Sequence, residues 1–333
     1  MRFQLLILIS ALLLPAGVTT AEPETVPLRM AVEYSNHAAV VYAAREKGWF
    51  AETGLEVEAY EAYVTGMALA ASLARGEINS AYLCLVPAIT AYANASVPIR
   101  IVAGTHRDGY GLVVDPEKIK DVRDLEKPEI RIGCVREGGA VDIVLRKLID
   151  VRGLDKEAIL DRTVRMNPAQ LVISLQTGRI DGAFLPEHYA TMAEAPGFRM
   201  LVESREVWPG MPGSVLVVRK QLLDEHPETV EKLVGVSREA AGWINDHPAK
   251  AAEIVAAVFR SGEEAVFPAA AAGAAGKLSP SAKTMARSMA RLDYRDDLSP
   301  DEVQAVIDYL ADLGYIAESF PAAEILDLRF APR

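Results

Sequence analysis

Residues 28–57, LRMAVEYSNHAAVVYAAREKGWFAETGLEV, decide how the rest of the chain is read. They open on an apolar run of strand length, Leu28 to Val32, and pass into a turn of hydrogen-bonding side chains, Glu33-Tyr34-Ser35-Asn36-His37. Apolar residues then recur at helical spacing (Ala39, Val40, Ala43, Ala44 and Trp49), with Arg45, Glu46 and Lys47 on the opposite face. Gly54 closes the unit, and Leu55-Glu56-Val57 begins a second strand. Strand, polar turn, helix, strand is the βαβ unit of an open α/β sheet. Such sheets bind ligands beyond the carboxyl ends of their strands, where helix amino termini offer unpaired N–H groups. The first candidate ligand contacts are therefore Tyr34, Ser35 (also a natural N-cap), Asn36 and His37.

Working outward, the pattern repeats. Gly66 to Ala74 reads as a helix, Ile78 to Val86 as a buried strand, and Ile99 to Ala103 as another apolar run before the polar GTHRDGYG. A second series starts near residue 120, with strands expected at 130–135, 163–166, 180–185 and 198–202. The apolar runs LVVD (112–115) and VLVVRK (215–220) bracket that series and resemble each other, which predicts a pair of crossover strands. The expected organisation is two hinged lobes: residues 22–112 and 214–333 in the first, 113–213 in the second. The remainder reads as helices at 221–223, 227–245, 249–259 and 300–313, with PAAAAGAAGK (268–277) as a low-complexity connection.

Composition narrows the class. With 333 residues, half of them hydrophobic, the chain can bury a large core, and only 7% aromatics alongside abundant Ala favours helices over an all-β design. Residues 1–21 carry Arg2, an apolar stretch from Leu5 to Leu14 and a small-residue site ending at Ala21, the layout of a cleaved secretory signal. Its removal leaves 34 basic and 46 acidic residues, a net charge of −12, which argues against nucleic acid and anionic membrane as partners. No later segment is long and apolar enough to span a bilayer, so an exported protein without stable membrane insertion is expected. Cys84 and Cys134 lie in apolar runs far apart in sequence and are expected as free buried thiols.

Several passages, in this order, resemble the periplasmic substrate-binding proteins of ABC importers, in the branch that handles nitrate, sulfonates, taurine and thiamine-pyrimidine precursors. They are NHAAVVYAAREKGWFAETGLEVE, ASLARGEINSAYLCLVPAI, IKDVRDLEKPEIRIGCVREGGAVDIVLRKLI, LQTGRIDGAFLPEHYA and LDYRDDLSPDEVQAVIDYLADLGYI, covering about 28 to 317. The resemblance implies a two-lobed periplasmic binding protein of type II-like α/β architecture, each lobe a βαβ sheet with helices on both faces. It also implies a small-molecule ligand, an ABC transporter permease as partner, a monomer, no cofactor, no metal and no catalysis. Two departures stand out. Lys127-Pro128-Glu129 replaces the family's Gly-Lys, and Arg136-Glu137-Gly138-Gly139 replaces a turn that often carries Ser or Thr. The Cys-rich run of the fungal pyrimidine-synthesising relatives, which are enzymes, does not occur.

Further candidate contacts are Tyr63, Thr65 and Gly66 before the second helix, and Cys84 and Leu85 at the end of the third strand. Glu137, Gly138 and Gly139 open a second-lobe helix, Glu187 and His188 follow a strand end, and Tyr110 and Trp208 flank the crossovers. In the thiamine-precursor binders an Asn-His-like turn contacts the ligand, which the resemblance carries to Asn36 and His37. Among acids and bases near the cleft, Glu33, Glu61, Glu137 and Glu187 stand against Arg107 and Arg136. Carboxylates beside aromatics suit a nitrogenous heterocycle or amine. A sulfonate- or taurine-like anion is the alternative, and an exported sensor partner or an enzyme would be different classes of answer. No nucleophile elbow, phosphate loop or His-Glu metal motif is present in the sequence.

Overall fold

The computed structural model describes residues 26–266 and 280–331. The signal segment expected at 1–21 and the whole low-complexity stretch 268–277 fall outside the described residues. In chain order the first series is β1 (Leu28–Glu33), a 3-10 turn (Asn36–Ala38), α1 (Ala39–Lys47), α2 (Trp49–Glu52), β2 (Val57–Tyr63), α3 (Gly66–Arg75), β3 (Ser80–Cys84), α4 (Leu85–Ala95) and β4 (Ile99–Asp108). The second is β5 (Tyr110–Val114), β6 (Ile132–Cys134), α5 (Ala140–Arg152), α6 (Lys156–Leu160), β7 (Val164–Arg165), α7 (Pro168–Gln176), β8 (Gly182–Pro186), α8 (Glu187–Glu194) and β9 (Arg199–Glu203). The chain then returns through α9 (Ser204–Val207) and β10 (Pro212–Arg219). It ends in α10 (Lys220–Glu225), α11 (Pro227–Asp246), α12 (Pro248–Val266), α13 (Ala282–Met289), β11 (Leu292–Asp293) and α14 (Pro300–Asp312).

Two sheets result, ordered β11-β4-β10-β3-β1-β2 and β7-β6-β8-β5-β9. β1 runs parallel to β2 and β3, while β10 returns antiparallel between β3 and β4. In the second sheet β6 is parallel to β7 and β8, and β5 runs antiparallel between β8 and β9. Strands covered on both faces need apolar side chains at every position. Leu112 to Val114 and Val215 to Val218 meet that need and are fully buried. Helices α1, α11 and α12 bury one face of the first sheet, and a second core runs from its other face through α4 into α5 of the second lobe.

The two runs expected to cross between lobes do not cross. Leu112–Val114 pairs only within the second sheet and Val215–Arg219 only within the first. A buried apolar strand keeps its ladder partners on both sides along its length, so the crossings fall to short connecting pieces instead. The first is Asp108–Gly109, with both residues in the left-handed region (φ 63° and 96°), which breaks β4 from β5. The second is Ser204–Met211, containing the single turn of α9. Tyr110 to Leu112, expected with the first lobe, therefore belong to the second sheet. β4 also extends through Gly104 to Asp108, which reads as polar loop, because pairing with β10 buries Thr105 and His106. Leu85 and Val86 leave the third strand and form the first turn of α4. Both cysteines are buried and unbridged, and no described helix is long and apolar enough to cross a membrane.

Candidate ligand-binding site

The ends of β1 and β3 and the start of α3 in the first lobe face the starts of α5 and α8 in the second. Between them lies a cavity of about 40 Å³. From the first lobe Glu33, Tyr34, Ser35, His37, Thr65, Gly66 and Cys84 line it. From the second come Tyr110, Arg136, Gly139, His188 and Tyr189, with Val64, Met67, Val135, Val141 and three prolines supplying apolar wall.

Glu33 ends β1. Its Oε2 accepts the backbone N–H of Cys84 at 3.0 Å. Burial raises its pKa, opposed by hydrogen bonds from Cys84 and the Gly66 backbone. This close approach needs a glycine, since a Cβ on Gly66 would stand 3.0 Å from Glu33 Oε2 and 2.8 Å from Pro87 Cγ. Ser35 caps the 3-10 turn, its hydroxyl accepting from His37 N at 3.2 Å, as the sequence predicts. Thr65 caps α3 by accepting from Ala68 N.

His37 sits at the lobe junction. Its Nε2 is 2.9 Å from the Gly109 carbonyl, so that nitrogen carries the proton and Nδ1 turns toward the Cys84 thiol at 3.8 Å. The Tyr110 hydroxyl donates to Cys84 Sγ at 3.1 Å. Burial drives the His37 pKa down to about 4, only partly opposed by the Gly109 bond. His106, its ring tilted against that of His37 with centroids 4.4 Å apart, and His188 are pushed well below the usual value, burial again leading. All three imidazoles are neutral at physiological pH. Burial also raises the Cys84 thiol well above its ordinary value, which makes it a poor nucleophile.

Behind this wall a polar network joins the lobes. Asn36 Nδ2 donates to Ser288 Oγ at 2.9 Å, and Asn36 Oδ1 lies 3.2 Å from His188 Nδ1. Ser288 donates to Glu187 Oε2, while Thr191 and Arg291 reach Glu187 Oε1 at 2.5 and 3.0 Å. Arg291 also pairs with Glu194 and Glu203. Burial raises the Glu187 carboxyl to about 7 despite these donors.

Nine of the sixteen residues singled out from the sequence line the cavity together: Tyr34, Ser35, His37, Thr65, Gly66, Cys84, Tyr110, Gly139 and His188. Asn36 and Glu187 lie one layer behind, buried in the network rather than solvated as a bare helix start would be. Tyr63 turns to Glu61 and Ser72, and Leu85 sits in the core. Glu137 pairs with Arg146 and Tyr315 on the outer surface, and Gly138 lies against the Tyr315 ring. Trp208 packs edge-on against Tyr309 at 5.4 Å. Glu33, read from the sequence only as one acid among several, is the carboxylate that reaches the cavity. Ser288 and Arg291 carry no sequence signal that ties them to a site 100 residues earlier. No cluster of three or more His, Cys, Asp or Glu among the described residues is placed to hold a metal ion.

A profile of the NMT1-like family matches residues 21–259. The nitrate/nitrite binding protein NrtA of Synechococcus elongatus is 26% identical over 260 residues, covering 70% of this chain and 58% of NrtA. The chain spans between 33% and 65% of the length of the curated relatives it matches. Among solved structures, the periplasmic nitrate-binding protein NrtA from Synechocystis superposes with a TM-score of 0.75 at 15% identity, covering 93% of this chain and 88% of that one. The alkanesulfonate-binding protein SsuA from Xanthomonas axonopodis, bound to MOPS, gives 0.71 at 16% identity, covering 92% and 99%. These carry the names of binding proteins, not enzymes. With most of its length matched by the family profile and more than nine-tenths of it superposed on those structures, the chain belongs to the NMT1-like family and has the two-lobed fold of the periplasmic binding proteins.

Proposed function

We propose that this protein is the extracytoplasmic solute-binding component of an ABC import system, closing its lobes on a small nitrogenous heterocycle or amine of the thiamine-precursor kind. In this reading the lobes are the chain up to Asp108 with the part from Pro212 onward, and Tyr110 to Glu203. The protein acts in the periplasm after loss of its signal segment and hands its ligand to a membrane permease. Closure needs no catalysis, only ligand contacts from both lobes, so that the occupied closed state is favoured.

The observation that carries the ligand class is Glu33. Among the described residues it is the acid that lines the cavity, and the lining cation, Arg136, is solvent-exposed, while the lining histidines are held neutral. An oxyanion would meet a carboxylate with no buried positive charge to offset it. An N–H or ammonium donor would hydrogen-bond to Glu33 and favour its ionised form. The names of the relatives support the second reading, a nitrate- or sulfonate-like anion held by Arg136 and the α5 amino terminus.

Thermal-shift measurements against aminopyrimidines, small amines, nitrate and alkanesulfonates separate the two. A ligand at 100 times its Kd stabilises by about 2.7 kcal/mol. Nitrogenous donors are expected to raise the melting temperature, and Glu33→Gln to weaken them by about 10- to 100-fold. Stabilisation by nitrate or a sulfonate, unchanged or stronger in Glu33→Gln, would overturn the proposal.

A further inference from the structure

We infer that His188 is a specificity-determining residue whose Nε2 is held as a bare hydrogen-bond acceptor facing the ligand, its tautomer fixed by Asn36 and Ser288 of the other lobe together with the neighbouring Glu187. This rests on the cavity being the ligand site, and it narrows the ligand to one that offers hydrogen-bond donors to both lobes.

The argument follows the protons. Glu187 accepts at both oxygens, from Thr191 and Arg291 on one and from Ser288 on the other. The Ser288 hydroxyl proton is therefore spent on Glu187, and its oxygen is free to accept from the Asn36 amide at 2.9 Å. An amide that donates through Nδ2 there must present Oδ1 to His188, at 3.2 Å from Nδ1. An acceptor at that point obliges Nδ1 to carry the ring proton, which leaves Nε2 with a lone pair. That ring is 1% exposed and lines the cavity, and Nε2 has no partner among the described residues. Buried polar atoms are rarely left unpaired, so an orphan acceptor in a cavity wall marks where a donor is to sit. Glu33 offers the matching acceptor from the first lobe. A ligand with two donors, such as an amino-substituted nitrogen ring, satisfies both and gains from closure. Nitrate and unsubstituted alkanesulfonates have no hydrogen to give.

His37 shows the opposite arrangement, its Nε2 proton already committed to Gly109 O, so the two histidines are not interchangeable. Asn36, Ser288 and Glu187 are positioning residues, acting on the ligand only through His188.

The test has two arms. In the full exported protein with 15N-labelled histidine at pH 8, long-range 1H–15N correlation, assigned with His188→Gln, is expected to show Nδ1 protonated and Nε2 bare. Ser288→Ala is expected to mix the two tautomers, a change that a purely structural serine would not produce. An Nε2–H tautomer in the wild type, or an unaltered one in Ser288→Ala, overturns the relay. For binding, the probes are 4-aminopyrimidine and its 4-dimethylamino analogue, which lacks the N–H donors. The analogue is expected to bind about 10- to 100-fold more weakly. His188→Gln, whose amide oxygen can reach the Nε2 position, should keep most of the affinity that His188→Phe loses. Equal affinity for both probes overturns the role of Nε2. If the tautomer is as stated but neither probe binds, the proposed ligand class fails, and the donor-reading half of this inference fails with it.

Discussion

Replacing Glu187 by Gln isolates one buried carboxyl on a lobe-bridging network. Burial raises the Glu187 pKa from an ordinary 4.5 to about 7 in the folded protein. A folded pKa above the unfolded one means that the native state holds the proton more tightly. Its contribution to stability is therefore complete below pH 4.5 and is lost as the pH rises through 7. At 1.36 kcal/mol per decade of proton affinity, the two values give a loss of about 2.5 kcal/mol between pH 5 and pH 8. Gln keeps the shape and does not titrate. Asp108, raised to about 6 with burial as the main cause, and Glu33 contribute slopes of the same sign, but equally in both proteins. Urea unfolding followed by circular dichroism at pH 5, 6, 7 and 8 should thus show Glu187→Gln gaining about 2.5 kcal/mol on the wild type from the lowest pH to the highest. Parallel pH profiles, within about 0.5 kcal/mol of each other, would refute the reasoning; they would mean that Arg291, Thr191 and Ser288 fully offset the burial of the ionised carboxylate.

Gly109→Ala should destabilise the protein by about 1–3 kcal/mol, because φ is +96° there and the new Cβ would stand 2.8 Å from His37 Nε2; the same urea melts at one pH check it, and a loss under about 0.5 kcal/mol would contradict it. Neither Cys84 nor Cys134 should react with iodoacetamide in the native protein, and both should react once it is unfolded, since both are buried with thiols raised by burial; mass spectrometry of the two samples reads the result, and rapid native labelling of either one would show that the cleft or the second core opens at equilibrium.

How much of this was legible in the sequence depended on distance along the chain. β1, α1 and the Ser35 cap follow from spacing alone, because period and capping are local properties. So do Thr65 and Gly66, where a capping hydroxyl and a glycine sit side by side at a strand-to-helix turn. The crossings were misplaced because apolar runs such as Leu112–Val114 report burial, not which sheet buries them. Glu137 and Trp208 look like cleft residues by their position after a strand or beside a crossing. Arg146 and Tyr315 draw the first outward, and Tyr309 with Lys147 covers the second. Glu187 and His188 stand out in the sequence by following a strand end, a position that does not say whether they are buried. What buries them is Ser288 and Arg291 from the far end of the chain, a pairing that no local pattern encodes.

The place of β10 bears on how a nascent molecule matures. It lies between β3 and β4, yet 103 residues (109–211) separate the end of β4 from the start of β10, and the whole of β5 to β9 is made in between. A chain emerging amino end first thus carries β1, β2 and β3 on one side of a gap and β4 on the other until Arg219 arrives. The younger lobe is assembled before the older one can knit shut. A fragment ending at Glu203 holds every strand of the second sheet and none of the seam of the first, so protease resistance should appear in the middle of the sequence before it appears at the beginning.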